Sequence, residues 1–350
     1  MRFCPSPFNT LHVHQHGYIT CCPAWFNNAK EVNVIGEFEN LWDMWNHEKF
    51  VRLREAWLNG DDRFCKACVL RLDPKMAKLN RGPLMEPIMT RGPFHVVFAN
   101  DLTCNLHCWS CRSGPIIQKR QDKIFEQTKN ILDTFHESIN FITAIGSGDP
   151  FASPAWLKIL QTLDAEKHKN LNIELFTNGL LLPRYWDSIS QIHDNIVNVK
   201  MSIDAITPEI YERTRLGGKH KDLEIALDFV SKLGKNHILN MVVQADNFTD
   251  IPLLVERAIE LGCSQVNLSM LRFWNNLGGG KEKFDKENLS NENHPKHKEF
   301  LKLLQDNEDL LSHPIVHAYR IFPEGHKIIR DNHSESKKKL DQWDHRKKQE

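Results

Sequence analysis

Residues 95–111 read HVVFANDLTCNLHCWSC, an apolar β-rich run followed by a loop that holds Cys104, Cys108 and Cys111 at C-x3-C-x2-C spacing. Five more runs of the same texture follow, at residues 140–145 (NFITAI), 172–177 (NIELFT), 197–203 (VNVKMSI), 238–244 (ILNMVVQ) and 265–270 (QVNLSM). Between them lie stretches of helical period, such as Ile124, Phe125, Ile131, Leu132 and Phe135, or Leu254, Val255, Ala258, Ile259 and Leu261 behind a first-turn Pro252. Strands and helices in alternation imply parallel strands joined by crossover helices. The runs fill residues 95–270 at about 29 residues each, the size of one βα repeat, whereas a complete eight-unit barrel takes about 250. The expected fold is α/β, a partial (β/α)6 barrel of the TIM type. A doubly wound sheet has the same strand count, but after its first strand it would carry a glycine-rich dinucleotide fingerprint, and here three cysteines stand in that place.

The rest of the chain bounds the function. With 45 Lys plus Arg against 45 Asp plus Glu among 350 residues, the formal net charge is zero, which argues against a nucleic-acid binder acting through bulk charge. A hydrophobic content of 41% suits a globular protein of about two domains. The start, MRFCPSPFNT, lacks the basic and apolar segments of a secretory signal, and no long apolar run follows, so a cytoplasmic protein without membrane contact is expected. Of nine cysteines, Cys4, Cys21, Cys22, Cys65 and Cys68 lie in the first 68 residues, three sit in the loop, and Cys263 stands alone. Grouped thiols in a reducing compartment bind metal or do redox chemistry.

Three domains are expected: residues 1–88, 89–275 and 276–350. In the first, LHVHQHGYIT reads as a hairpin turning at Gly17, and residues 41–58 as one helix with Leu41, Met44, Trp45, Leu53 and Trp57 in its apolar stripe. His12, His14 and His16 share one strand face, expected to be exposed. Prolines 74, 83, 87 and 93 mark a linker. Residues 275–291, rich in Gly, Asn and Lys, read as a mobile loop, and the last twenty residues as a solvated charged tail. Cys263 reads as a small buried residue.

The chemistry of the loop follows from its ligand count. Spacings of four and three could place the cysteines on one helix face, but Asn105, His107, Ser110 and Arg112 are wrong for a buried stripe. A structural zinc site needs four ligands, normally in two pairs. Three thiolates on a four-iron cubane leave one iron open, as a catalytic cluster requires.

C-x3-C-x2-C after the first strand of a βα array resembles the signature of the radical S-adenosylmethionine (radical SAM) superfamily, whose core is an open six-unit barrel. The resemblance implies that Cys104, Cys108 and Cys111 hold a catalytic [4Fe-4S] cluster. Gly146-Ser147-Gly148-Asp149-Pro150 resembles the family segment that binds the methionyl amino group, with Ser147 in place of a glycine and Asp149 in place of a glutamate. Thr177-Asn178-Gly179 resembles the short turn after the third strand, Ser202 and Asp204 the pair that approaches the ribose, and Arg215 the arginine that reaches the methionyl carboxylate. Before the third cysteine the family usually has an aromatic residue near adenine; here Ser110 stands there, with Trp109 one place earlier.

By spacing, Cys4, Cys22 and the Cys65-x2-Cys68 pair could close a zinc site or a four-iron cluster. The runs FCPSPFNTLHVHQHGYITCC and LWDMWNHEKFVRLREAWLNGDDRFCKAC resemble the auxiliary-cluster domain called SPASM, or its short form called twitch. That resemblance implies a second [4Fe-4S] cluster on Cys4, Cys22, Cys65 and Cys68, with Cys21 as spare or as replacement for Cys22. It also implies reductive cleavage of S-adenosylmethionine, a low-potential electron donor of flavodoxin or ferredoxin type, and hydrogen abstraction from a small, sugar-like molecule or a peptide. Trp274 and the loop after it are a candidate substrate surface. The contrasting reading is a non-catalytic electron-transfer or zinc-binding scaffold.

Overall fold

The computed structural model describes residues 5–15, 17–20, 33–61, 63–65, 85–274 and 277–319. Cys4, Cys21, Cys22, Cys68, His16, the side chain of Cys65 and the charged tail lie outside the described residues. The fold is α/β with a parallel-strand sheet. By contacts the chain divides into two units: one of Met1–Thr103, Ile117–Leu175 and Ser188–Val197, the other of Cys104–Ile116, Phe176–Asp187 and Asn198–Glu350.

In the first unit the strands β1 (Thr10–His14), β2 (Gly17–Ile19), β3 (His95–Ala99), β4 (Phe141–Ala144) and β5 (Asn172–Thr177) lie in the order β2-β1-β3-β4-β5. β1 and β2 are antiparallel with His14 paired to Gly17, so Gly17 opens β2 rather than forming the turn. β1 then runs parallel to β3, from Thr10 against His95 to His14 against Ala99. The strand face expected to be exposed is only partly so: His12 and His14 stack half-buried, and burial lowers the pKa of His14. Helix Gln121–Thr134 buries Ile124, Phe125, Ile131 and Leu132, and Pro154–Thr162 buries Trp156, Ile159 and Leu160. With Phe8, Leu11, Trp45, Phe50, Phe98 and Phe135 these make the core of the unit.

The stretch expected as one helix is two, Leu41–Trp45 and Glu48–Leu58. Asn46 breaks it because its side chain is taken by another segment: Oδ1 accepts from the Met89 amide at 2.7 Å and Nδ2 donates to the Met89 carbonyl at 2.9 Å. His47 Nδ1 then accepts from Lys49 N and starts the next helix.

In the second unit β6 (Ile196–Ser202), β7 (Asn236–Val243), β8 (Gln265–Met270) and β9 (Val316–Tyr319) are all parallel and in chain order. Alternate residues Leu239, Met241, Val243, Val266 and Leu268 are buried, as the period of a strand dictates, while Asn240 and Asn267 occupy the other face and are half-exposed. Helix Ile251–Glu260 buries Leu254, Val255 and Ala258. The segment expected as a mobile loop contains helix Gly280–Glu287. Its composition hides the helix, but Lys281 with Asp285, Glu282 with Lys286 and Lys283 with Glu287 are i,i+4 pairs. Residues 275 and 276 lie outside the described residues. No helix of the described residues is long and apolar enough to cross a membrane.

Candidate active site

In the first unit, the segment that leads into the cysteine loop is bolted to the loop after β4. Asp101 is fully buried; its Oδ1 accepts from Thr103 N at 2.8 Å, and its Oδ2 from Ser153 Oγ at 2.5 Å and Gln121 Nε2 at 3.0 Å. Ser153 also caps the helix that starts at Pro154, accepting from Trp156 N at 3.0 Å. The backbones touch directly: Asp149 N donates to Thr103 O at 2.8 Å, and a Cβ on Gly148 would lie 2.4 Å from that oxygen. Gly148 is therefore fixed by close approach. Asp149 is buried, with Oδ1 accepting from Phe151 N at 3.0 Å, while Gly146 is exposed and Ser147 half-exposed. Ile145, a buried β-branched residue, has φ of 55° just before this loop, strain of the kind that concentrates at functional sites. Sequence spacing gives no role to Asp101, Gln121 or Ser153.

The second unit holds the thiols. Cys108 is buried, Cys104 half-buried and Cys111 exposed. Each sulfur accepts an N–H. Cys104 Sγ takes Leu106 N at 3.4 Å and Asn178 Nδ2 at 3.7 Å; Cys108 Sγ takes Arg215 Nη1 at 3.8 Å; Cys111 Sγ takes Arg112 Nη2 at 3.3 Å. Burial pushes the Cys108 thiol up, and Arg215 acts against it. Burial works against the charge of Arg215 too, but Asp204 and Cys108 outweigh it and its pKa is raised. Burial works against the charge of Arg112, but Cys111, Cys104 and Cys108 together outweigh it and its pKa is raised as well.

Asn178 reaches Cys104 from a tight turn in which Gly179 has φ of 84° and a Cβ would meet Met201 Cε at 2.3 Å. Arg215 is aimed by Asp204: Arg215 Nε lies 2.9 Å from Asp204 Oδ2 without pointing its N–H at it, so the contact is an ion pair rather than a hydrogen bond. Asp204 Oδ1 accepts from Val242 N at 2.8 Å, and its carbonyl from Asn247 Nδ2 at 2.8 Å. Asp204 has φ of 60° at the carboxyl end of β6, and Ser202, the last residue of that strand, is half-exposed.

Trp109 is buried with Leu271 and Leu277, its carbonyl accepts from Gly278 N at 2.7 Å, and its Nε1 has no partner among the described residues. Gln244 follows β7 and is fully buried with neither amide atom hydrogen-bonded; its position just after a strand was the one sequence signal that could have drawn notice. Trp274 Nε1 donates to Cys111 O at 3.3 Å. Cys263 is buried, its thiol pushed up to about 12 by burial. Among the described residues no group of His, Cys, Asp and Glu is arranged to hold a single metal ion.

The family model of the radical SAM superfamily matches residues 102–258, the stretch that carries the thiols, Asn178, Asp204 and Arg215. These residues match a radical SAM domain. The chain is similar to the GTP 3',8-cyclase of Alkaliphilus oremlandii (strain OhILAs), 24% identical over an alignment of 153 residues that covers 42% of this chain and 46% of the cyclase. The fold is similar to crystal structures of Streptococcus suis SuiB. Bound to S-adenosylmethionine, that protein superposes at a TM-score of 0.46 with 14% identity over 66% of this chain and 52% of SuiB. Bound to its precursor peptide SuiA, it gives 0.46 with 12% identity over 92% and 74%. The chain thus spans about half the length of the cyclase and of the S-adenosylmethionine-bound SuiB.

A radical SAM domain implies a [4Fe-4S] cluster and S-adenosylmethionine, and the residues present fit both. Thiolates that ligate iron are stabilised by N–H donors, and each of the three has at least one. Arg215 Nη2 has no hydrogen bond among the described residues, which leaves a buried cationic donor for a carboxylate.

Proposed function

We propose that the protein is a radical SAM enzyme of oxidoreductase or maturase type, built on a partial six-unit barrel, that reductively cleaves S-adenosylmethionine and uses the 5'-deoxyadenosyl radical to abstract hydrogen from a substrate. The observation that carries this reading is the set of three thiols in one loop, each accepting an N–H from a separate residue, within the radical SAM domain. When bound, the cluster supplies one electron to the sulfonium, and the carbon–sulfur bond breaks to give methionine and the radical.

The protein's own residues do the rest. Cys104, Cys108 and Cys111 would hold the cluster, three ligands for four irons. Arg215 offers its free Nη2 to the methionyl carboxylate, and the loop of Gly146, Ser147, Gly148 and Asp149 offers its backbone to the amino group, since the Asp149 carboxylate is engaged with Phe151 N. Ser202 and Asp204 lie at the end of β6 for the ribose, and Asn178 orders the loop through Cys104 and Asn105. Burial of Trp109 and Leu271 keeps water from one side of the loop. Cys4, Cys22, Cys65 and Cys68 are proposed to hold an auxiliary cluster of SPASM or twitch type. The hydrogen donor is a small, sugar-like molecule or a peptide, and a flavodoxin or ferredoxin the electron source.

Metal analysis of the anaerobically reconstituted chain tests the reading. It expects iron and sulfide near eight each, about four per cluster. Iron near four with one zinc would give the N-terminal cysteines to a structural zinc. Iron near four that survives replacement of all three loop cysteines would remove the catalytic cluster.

A further inference from the structure

We propose that Arg112 and Arg215, the latter held by Asp204, set the reduction potential of the cluster on Cys104, Cys108 and Cys111. The inference rests on the cluster-binding reading above and goes beyond it. Both guanidinium groups are buried, and each donates to a different thiol, Arg112 Nη2 to Cys111 at 3.3 Å and Arg215 Nη1 to Cys108 at 3.8 Å. The third thiol, Cys104, accepts from Asn178 Nδ2 and Leu106 N, and the charge of Arg112 acts on it as well. Two of the three sulfurs therefore accept from a buried cation, Cys108 in surroundings that screen charge poorly and Cys111 at an exposed position.

Hydrogen bonds to ligand sulfur and local charge are the protein's main means of setting such a potential. Reduction adds one negative charge to the cluster and its thiolates. A donor that draws electron density from sulfur stabilises that extra charge, and so does a cation that cannot leave. Both arginines therefore raise the potential and ease the entry of an electron.

Asp204 acts with the opposite sign. Its carboxylate stands between the Val242 amide and Arg215, with distances of 2.8 and 2.9 Å, so it fixes the guanidinium while subtracting part of its charge. It does so from a left-handed backbone conformation, φ 60°, that Asp and Asn adopt more readily than other residues with a side chain. Asp204 is thus a positioning residue for Arg215. Arg112 follows Cys111 directly but belongs to neither the cysteine spacing nor the expected S-adenosylmethionine contacts.

The experiment is a potentiometric measurement on the full reconstituted chain, followed by EPR. The barrel cluster is the signal that changes when S-adenosylmethionine is added. Arg112→Gln and Arg215→Gln are each expected to lower the equilibrium constant for one-electron reduction about tenfold, a potential about 59 mV more negative. Asp204→Asn removes a negative charge and keeps an acceptor and a residue suited to the backbone, so it moves the potential upward. Opposite signs from two members of one ion pair are not what a packing role gives.

Unchanged potentials in glutamine variants that carry wild-type iron overturn the proposal, as does a lowered potential in Asp204→Asn. Should the glutamine variants fail to load iron, Arg112→Lys decides, since it keeps the charge but not the planar fork. A smaller negative shift supports the proposal and a wild-type potential overturns it. Wild-type chain without a cluster in the barrel would instead sink the cluster-binding reading itself.

Discussion

Arg54 has no exposed surface and no carboxylate partner among the described residues. Its Nε donates to Pro7 O at 2.9 Å, Nη1 to Pro87 O at 3.2 Å and Asn46 Oδ1 at 3.4 Å, and Nη2 to Trp45 O at 3.0 Å, with the Trp45 ring 4.4 Å from Cζ. Burial pushes its pKa down to about 9, which leaves it charged at neutral pH. Arg54→Ala strands these buried acceptors and is expected to cost about 3 kcal/mol or more, read as a lower urea midpoint. A loss of less than about 1 kcal/mol would contradict the role. Nothing in the spacing of Leu53 and Trp57 marks the arginine between them as buried, because a long basic side chain on a helix normally reaches water. Gly179 was legible in kind, as part of Thr177-Asn178-Gly179, but its necessity comes from the left-handed φ of 84° that the turn imposes. Gly179→Ala must adopt that φ and push the end of the Met201 side chain aside, so a loss of at least about 1 kcal/mol is expected. His168 supplies a pH dependence. Burial lowers its pKa from the ordinary 6.5, so on acidification the unfolded chain takes up a proton before the folded one does. Stability therefore falls as pH drops through 6.5 toward the folded value, and denaturant midpoints of His168→Asn should show a shallower acid slope than wild type. An identical slope would remove His168 as its source.

At the level of elements, the loops were located by the strands before them, and their internal order was not. The end of β3 and the loop after β4 meet through Asp101, which accepts three hydrogen bonds within the first unit. Asp101→Asn turns one acceptor into a donor that faces Ser153 Oγ and Gln121 Nε2. It should cost about 1–3 kcal/mol, and thermal unfolding would show it; an unchanged midpoint would mean that the backbone contact at Gly148 suffices without it. Such a bolt is invisible to spacing because its members come from three separate segments. The helix at Gly280–Glu287 escaped for another reason: Gly, Asn and Lys signal a loop by composition, whereas its charge pairs signal a helix by position. The break at Asn46 depends on Met89, more than forty residues away.

For the whole molecule, the six strands expected from residues 95–270 are β3 to β8, with ends displaced by no more than two residues. Their legibility has a simple cause, since runs buried on alternate or both faces leave a strong apolar signal. β1 and β9 extend the parallel order at β3 and β8, and neither pairing could be read, because short half-buried strands say nothing of their partners; TLHVH reads equally well as a hairpin strand alone. The three thiols of the loop were legible from spacing, while the arginines that donate to two of them were visible only once Arg112 and Arg215 were placed beside sulfur. If the protein acts as proposed, the three-thiol loop supports reductive cleavage of S-adenosylmethionine. The most direct measurement is 5'-deoxyadenosine formed by the reconstituted, reduced chain and by its Cys108→Ala variant. Product from the wild type and none above background from the variant is the predicted result; equal product from both would contradict the claim.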